Sequence, residues 1–322
     1  MTPRISVAIC TWNGTRWLSE QLGSILRQSR PVDEIVLVDD ASSDASFQLA
    51  SSILSDCQAA IRLVRNDSNI GSTRSFDKAT GLCTGEWIFL SDQDDLWESR
   101  KVETFLQRMA EHPQAQWAFS DATLIDASGA RIGKSLWRRQ GFSKARQSSF
   151  QQSRQLETIL RRPLVTGATM AVRKDALEIC KPFSDEWVHD HWTSLVLSGA
   201  GFPGIAIPEA LTRYRIHGGQ QVGDKSVGTA WQVHQSLETG ADQYRREAGK
   251  LTRLAQHIRS VGRDNPLVEA WILRNVRHFL VRAELRESGR IRRSLLALRE
   301  LLRGNYPMSW SRLAFFKDIL GK

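Results

Sequence analysis

The strongest constraint on the fold of this chain is an alternation of short apolar runs with helical segments through its first hundred residues. The apolar runs are ISVAIC (5–10), EIVLVDD (34–40), AIRLVRN (60–66) and EWIFLSD (86–92). Uniformly apolar strands that alternate with helices are typical of a parallel sheet with helices on both faces. The sequence therefore predicts an α/β fold whose sheet begins with four strands from this region.

Polar clusters stand at the ends of all four apolar runs. They lie at residues 11–13, 39–40, 66–67 and 92–95. Ligands of open α/β sheets bind outside the carboxyl ends of the strands, where the loops converge. We therefore expect the four clusters to meet at one edge of the sheet and to form a site there.

The fourth cluster is the most acidic, because FLSDQDDLW places Asp92, Asp94 and Asp95 within four positions. Two carboxylates one residue apart can share magnesium or manganese, and such an ion removes their repulsion. The ion usually also binds substrate phosphates, and the chain has neither a Walker P-loop nor GxGxxG to hold phosphates otherwise. From these residues alone, a metal site for a nucleoside diphosphate and a solvated acidic turn both remain open.

After residue 100 the alternation is less regular. The pattern predicts a strand at 117–126, a strand and helix at 164–177, a helix at 186–201 and a final strand at 210–223. Residues 133–155 are rich in Ser, Gln, Arg and Lys, and we expect them to form a mobile excursion.

The net charge of +9 comes from the last quarter of the chain. Residues 245–322 hold 18 lysines and arginines against 7 acidic residues. The pattern there is helical, with candidate helices at 230–260, 266–287 and 290–303. A basic helical region suggests contact with an anionic surface, but no nucleic-acid partner is expected because no recognised nucleic-acid-binding module is present.

The last eighteen residues, NYPMSWSRLAFFKDILGK, place Trp310, Leu313, Ala314 and Lys317 at helical spacing. Cations beside an aromatic face suit an interfacial helix on an anionic membrane. A helical subdomain that packs on the catalytic part and a homodimer contact explain the same pattern, and the sequence leaves all three open.

The four cysteines are widely spaced and form no CxxC pair, which favours a reducing compartment. The N-terminal residues lack the pattern of a secretory signal, and no 18 apolar residues run consecutively, so no transmembrane helix is expected. We expect a cytoplasmic protein, with peripheral association at the cytoplasmic face of the inner membrane as a further hypothesis.

Several blocks occur together in an order that resembles the family 2 glycosyltransferases of the GT-A fold. They are ISVAICTWNG, EIVLVDDASSD, NDSNIGSTRSF, IFLSDQDDLW, VTGATMAV, VHDHW and YRIHGG, and they cover roughly residues 4–223. SDQDDLW with HDHW and YRIHG is most similar to bacterial rhamnosyltransferases of surface-polysaccharide synthesis. The resemblance implies a Rossmann-like mixed sheet flanked by helices in a GT-A catalytic domain (1–225), followed by a basic C-terminal helical region (226–322).

The resemblance also implies which side chains bind the donor. The residues matching donor-nucleotide positions are Thr11, Asp39, Arg74, Asp92 and Gly167, and those matching metal positions are Asp94, Asp92 and His217. Arg74 stands in Thr-Arg-Ser, where relatives often have Ala-Arg-Asn, so this match is incomplete. His217 has a simpler alternative as a turn residue before two glycines.

Asp190 matches the general base of the family, and His189, His191 and Trp192 match positions that orient the base or contact the acceptor. His189 stands where many members have Glu. An inverting transfer needs a carboxylate that takes the proton of the acceptor hydroxyl, while a metal stabilises the departing diphosphate. Without the resemblance, Asp190 would be read as an acidic residue in the first turn of a helix, where the dipole favours it.

The resulting hypothesis is a metal-dependent inverting glycosyltransferase for hexosyl or deoxyhexosyl transfer. It would move a sugar, with L-rhamnose from dTDP-L-rhamnose as the leading donor, to a glycan or lipid-linked acceptor in cell-surface polysaccharide or lipopolysaccharide synthesis. A UDP-hexose donor is the alternative within the same fold. A non-catalytic scaffold that binds nucleotide sugars is the alternative from another class, although such a binder needs no base.

Overall fold

The computed structural model describes residues 2–152, 154–160, 162–218, 240–263, 265–306 and 314–320. The chain divides into two compact units, Met1–Gln221 and Val222–Lys322. The division falls among residues 219–239, which lie outside the described residues, as does the end of the predicted catalytic domain at residue 225.

The described part of the first unit contains one mixed sheet of eight strands. The strands are β1 (Ile5–Thr11), β2 (Glu34–Asp39), β3 (Ala60–Arg65), β4 (Trp87–Ser91), β5 (Leu96–Trp97), β6 (Trp117–Ile125), β7 (Met170–Arg173) and β8 (Gly204–Arg215). Their order across the sheet is β3-β2-β1-β4-β7-β6-β8-β5. The first four strands are parallel, and β7 runs antiparallel to both of its neighbours.

Helices flank this sheet. They are α1 (Leu18–Leu26), α2 (Ser46–Leu54), α3 (Ser72–Leu82), α4 (Lys101–Glu111), α5 (Leu136–Gln140), α6 (Lys144–Gln151), α7 (Gln155–Leu160), α8 (Lys174–Glu178) and α9 (His189–Gly199), with a 3₁₀ turn at Gly167–Thr169 before β7. The predicted fold class, a Rossmann-like mixed sheet flanked by helices, is confirmed.

The four apolar runs form strands β1 to β4 as predicted. Strands β2 and β4 are buried along their whole length and β1 nearly so, because each has a neighbouring strand on both sides and helices on both faces. Strand β3 pairs only with β2 and is half-exposed, as expected for an edge strand. The parallel register aligns Thr11 with Asp39 and Asp39 with Arg65, so the polar clusters share one edge.

The expectation that residues 133–155 form a mobile excursion is wrong for the part of this segment that the structure describes. It contains the whole of α5 and α6, and it buries Trp137, Phe142 and Phe150. The Phe150 ring packs edge-on against Phe119 of β6, with 5.4 Å between centroids. Aromatic anchors therefore hold a segment whose remaining composition is polar.

The second unit is helical in its described residues. Its helices are α10 (Ala241–Ser260), α11 (Pro266–Glu287), α12 (Arg290–Leu302) and α13 (Ala314–Leu320). The predicted helix at 266–287 is confirmed with the same bounds, and that at 290–303 within one residue. The first part of the candidate helix at 230–260 lies outside the described residues. The Asn265 side chain caps α11 by accepting hydrogen bonds from two backbone N–H groups.

The C-terminal helix buries part of the stripe for which a membrane contact and packing in a helical subdomain were both left open. Ala314 and Lys317 are buried, and Asp318 accepts two hydrogen bonds from the Arg282 guanidinium of α11. Trp310 and Leu313, the other members of the expected stripe, lie outside the described residues. Among the helices that the structure describes, none is both long and apolar enough to span a membrane.

Candidate functional site

The acidic loop (residues 92–95) follows β4 and is fastened to the end of β1 through Gln93. The Gln93 side-chain oxygen accepts hydrogen bonds from the Thr11 hydroxyl at 2.7 Å and from the Trp12 N–H at 2.8 Å. Its amide group donates back to the Trp12 carbonyl. Thr11, which was predicted to contact the donor nucleotide, is buried and helps to hold the loop. The sequence did not reveal that Gln93 makes this connection.

The same loop is fastened on its other side to β8. The fully buried Asp95 accepts a hydrogen bond from the Arg215 N–H at 2.8 Å, and the Arg215 guanidinium donates to the Asp94 carbonyl at 2.7 Å. Burial raises the pKa of Asp95 well above its usual value, and the charges of Asp94 and Asp92 raise it further. Asp95 and Arg215 thus hold the loop in position, and the sequence analysis did not identify Arg215 in this role.

Two of the predicted metal residues lie in direct contact. The Nε2 atom of His217 is 2.7 Å from Oδ2 of Asp94, and the His217 ring packs on Trp17 with 4.1 Å between centroids. No group of three or more His, Cys, Asp and Glu side chains within the described ranges is arranged to hold a metal ion. The structure thus brings together His217 and Asp94 of the expected metal set, and the metal site itself stays a prediction.

Asp92 lies in a strongly negative environment. Burial raises its pKa to about 8, and the carboxylates of Asp94 and Asp190 raise it in the same direction. The charge of Asp190 is therefore one of those that raise the pKa of Asp92. The carboxylate oxygens of Asp92 and Asp94 are hard donors of the kind that magnesium and manganese prefer. These ions usually bind through one or two carboxylates and complete their coordination with water and phosphate.

A fully buried lysine lies near these carboxylates. The Lys101 ammonium donates to the Ala168 carbonyl at 2.6 Å and to the Thr212 hydroxyl at 3.0 Å. Burial lowers the pKa of Lys101 to about 7, against the opposing charges of Asp95 and Asp92. The sequence contains no local signal for this residue, since Lys101 is simply the first residue of an amphipathic helix.

Asp190 and Gly167, which the resemblance pairs at the site, are in contact. Oδ2 of Asp190 accepts the Gly167 N–H at 2.7 Å, and Oδ1 accepts the His191 N–H at 2.6 Å. A Cβ atom on Gly167 would lie 2.6 Å from Nε2 of His189, so the turn requires glycine. Each carboxylate oxygen can accept a second hydrogen bond, so the first-turn position of Asp190 leaves room for a proton-accepting role.

The three residues around Asp190 occupy different environments. His189 is buried, its ring stacks on Phe76 at 3.8 Å, and burial lowers its pKa. His191 packs edge-on against Trp187. Trp192 is 3% exposed and its indole N–H donates to the Cys180 carbonyl at 2.7 Å. The Trp192 ring therefore belongs to the core, which leaves it no exposed face for the acceptor contact that the resemblance implies.

Asp39 is fully buried at the end of β2. Its Oδ1 atom accepts the Ser42 N–H at 3.0 Å and lies 3.4 Å from the Arg65 guanidinium, while Oδ2 has no hydrogen-bond partner among the described residues. A buried acceptor without a partner is costly, which suits a site that receives a ligand donor. Arg74 is instead held by the exposed Asp185, with 2.8 Å between Nε and Oδ1.

The sequence of this chain is similar to those of known bacterial glycosyltransferases. The chain is 30% identical over 129 residues to the putative glycosyltransferase EpsE of Bacillus subtilis, a match that spans 40% of this chain and 46% of that protein. It is 23% identical over 238 residues to the putative teichuronic acid biosynthesis glycosyltransferase TuaG of the same organism. This match spans 73% of this chain and 89% of that protein.

The fold is shared with a solved enzyme structure. The mannosyltransferase PcManGT from Pyrobaculum calidifontis, in complex with GDP-Man and Mn²⁺, superimposes with a TM-score of 0.52 at 19% identity, over 99% of this chain and 86% of that one. Residues 6–178, which contain β1 to β7 and the acidic loop, match the family model for glycosyl transferase family 2. This match covers more than half of the chain, and the chain therefore belongs to glycosyl transferase family 2.

Proposed function

We propose that this protein is an inverting glycosyltransferase in which Asp190 is the general base and Asp92 and Asp94 hold the diphosphate of the donor through a divalent metal. The observation that carries the proposal is the Asp190 carboxylate held at 2.7 Å by the N–H of Gly167 in the turn before β7, with a charge that raises the pKa of Asp92 in the acidic loop. A site that only bound a nucleotide sugar would not need this fourth carboxylate.

The chemistry asked of Asp190 is a single proton transfer. Its free lone pairs accept the proton of the acceptor hydroxyl while that oxygen attacks the anomeric carbon and the bond to the diphosphate breaks. The two backbone N–H groups that bind Asp190 keep its orientation fixed. A divalent cation bound at Asp92 and Asp94, with His217 beside them, would neutralise the charge of the departing diphosphate.

The donor is proposed to be a nucleoside diphosphate sugar bound at the ends of β1 and β2. Oδ2 of Asp39 is available to accept a hydrogen bond from the base or ribose, and the resemblance to the family supports Thr11 and Gly167 as contacts of the same ligand. The resemblance of SDQDDLW and HDHW favours dTDP-L-rhamnose, with a UDP-hexose as the alternative. Arg74 would have to leave Asp185 to reach the nucleotide.

The acceptor is proposed to be a glycan or lipid-linked saccharide of a surface polysaccharide or lipopolysaccharide. The likeness to TuaG supports a polysaccharide acceptor, and that to PcManGT supports a nucleoside diphosphate sugar and a divalent metal. Synthesis on the cytoplasmic side of the membrane, with the protein bound peripherally, is part of this proposal.

The test is a thermal-shift screen of dTDP-L-rhamnose, UDP-hexoses and GDP-mannose, each with and without Mn²⁺ or Mg²⁺. A donor at about 100 times its dissociation constant stabilises the protein by about 2.7 kcal/mol. We expect one donor to shift the melting temperature only when metal is present, and Asp94→Ala to abolish this shift. The proposal is wrong if no donor acts, or if the shift is the same without metal.

The non-catalytic scaffold makes a different prediction in the same material. A scaffold would give the metal-dependent shift but release no nucleoside diphosphate when acceptor is added. An enzyme releases it, and the release depends on Asp190.

A further inference from the structure

Helix α12 exposes a continuous apolar stripe on the surface of the second unit. Ile291, Leu295, Leu298 and Leu302 are 81, 64, 47 and 80% exposed. At about 100° per residue, these four side chains fall within an arc of about 60° along one side of the helix. We call them the outer stripe, because the buried residues Ala297 and Glu300 lie on the opposite side.

Arginines border the outer stripe. Arg292, Arg299 and Arg303 follow one edge of it at helical spacing, and Arg290 lies on the other side. The one acidic residue of the helix, Glu300, is buried and bound to His278 and Asn305. The outer surface of α12 therefore combines apolar side chains with cations and presents no carboxylate of its own.

We propose that the outer stripe and its bordering arginines form a docking surface for an anionic lipid bilayer, with α12 lying in the plane of the membrane interface. An apolar stripe flanked by cations is the pattern by which amphipathic helices bind such surfaces. The arginines that border the stripe would contact anionic headgroups, and their attraction to the membrane decays over about one Debye length. The proposal thus places the membrane contact on α12 and not on the side of the C-terminal helix that contains the buried Ala314 and Lys317.

Charge complementarity selects a membrane over a second copy of the chain. A self-complementary dimer through this face would bring the arginines of the two copies together, where like charges repel. Glu284 of α11 already binds Arg292 and Glu300 is committed inside the unit, so α12 offers no exposed carboxylate to the arginines of a second copy. An anionic bilayer supplies the missing negative charge and accepts the four apolar side chains without requiring a complementary protein surface.

The test is cosedimentation of the full chain with vesicles of phosphatidylcholine alone and of phosphatidylcholine mixed with phosphatidylglycerol. The stripe variant is Leu295→Gln with Leu298→Gln, and the charge variant is Arg299→Gln with Arg303→Gln. The matched control is Leu267→Gln, because Leu267 is 81% exposed in the same unit but lies outside α12. Since all of these side chains are exposed, circular dichroism should show unchanged folding.

We expect the wild-type chain to bind the anionic vesicles at least tenfold more than the neutral ones, and to be released by high salt. The stripe variant should lose at least tenfold in binding, the charge variant should lose binding to anionic vesicles, and Leu267→Gln should bind as wild type. Equal binding by the stripe variant, or equal binding to both vesicle types, overturns the proposal. A dimer in sedimentation velocity that only the stripe variant dissociates, without vesicle binding, would assign the face to self-association instead. The cosedimentation assay contains no nucleotide sugar, so a failure of the membrane proposal is distinct from a failure of the proposed transferase activity.

Discussion

Replacement of Asp190 by Asn isolates the base from the rest of the site. The side chain keeps its shape, and its remaining oxygen can accept one of the two backbone N–H groups that now bind Asp190. Loss of the other hydrogen bond costs on the order of 1 kcal/mol. Removal of the charge acts in the opposite direction, because the carboxylate of Asp190 now raises the pKa of Asp92. The melting temperature should therefore change little.

The effect on catalysis should be much larger than the effect on stability. A positioned general base contributes about 10²- to 10⁴-fold to the rate, which corresponds to about 2.7–5.5 kcal/mol in the barrier. We expect kcat for Asp190→Asn to fall at least 100-fold. The dissociation constant of the donor with metal should stay within about threefold, because the donor contacts proposed for Asp39 and the acidic loop are intact.

Transfer is measured by release of nucleoside diphosphate, and donor binding by calorimetry with Mn²⁺. Asp175→Asn is the matched control, because Oδ1 of the exposed Asp175 likewise accepts the N–H of the next residue in the first turn of a helix, at 2.9 Å from Ala176. The control should transfer sugar as wild type. Transfer by Asp190→Asn within tenfold of wild type, or a parallel fall in donor affinity, would refute the reasoning.

Three further substitutions address other parts of the molecule. Lys101→Met removes the buried cation near the acidic loop, so Mn²⁺ should raise the melting temperature more in this variant than in wild type; an equal rise argues against charge balancing by Lys101. Gly167→Ala places a Cβ 2.6 Å from Nε2 of the buried His189; we expect a loss of about 1–3 kcal/mol in urea unfolding and at least tenfold in transfer, and wild-type behaviour would show that the turn adapts. Glu300→Gln tests a buried carboxyl. Burial raises the pKa of Glu300, but hydrogen bonds from His278 and a neighbouring amide lower it, and the net shift is downward. Its stabilisation is present above the ordinary value of 4.5 and lost as pH falls below it, so the gap in melting temperature between wild type and variant should close in acid rather than persist.

The sheet could be predicted because its physical cause is local. Strands covered on both faces must be apolar throughout, and this leaves a readable run in the sequence. The meeting of the polar clusters followed from the rule that parallel strands end at one edge. The pairing of Thr11 with Asp39 in register agrees with that reasoning.

The supporting side chains could not be predicted, because their roles arise from distant partners. Lys101 donates to residues 67 and 111 positions away, and Arg215 is 121 positions from Asp94. A charged side chain is normally read as exposed, and only the assembled fold reveals its burial. Trp192 was misjudged for the same reason, since the motif HDHW does not indicate which side of α9 faces the core.

The structure of the C-terminal region could also be predicted only in part. Periodicity located α11 and α12, but amphipathic pattern alone did not identify the packed side. The sequence left open whether the aromatic tail packs within a helical subdomain or meets a membrane, and the structure shows Asp318 of the tail bound to Arg282 of α11. Helix α12 has no aromatic residue, and its leucines would ordinarily be assigned to a core.

The buried position of Lys101 also bears on the order in which this protein is assembled. Gathered carboxylates often cannot be brought together until an ion arrives, and the metal then supplies folding free energy. Here the chain carries a cation of its own near Asp92 and Asp95, and Arg215 ties the acidic loop to the last strand of the sheet. We therefore expect the chain to fold before it binds metal, so that chelation lowers activity reversibly and leaves the fold intact.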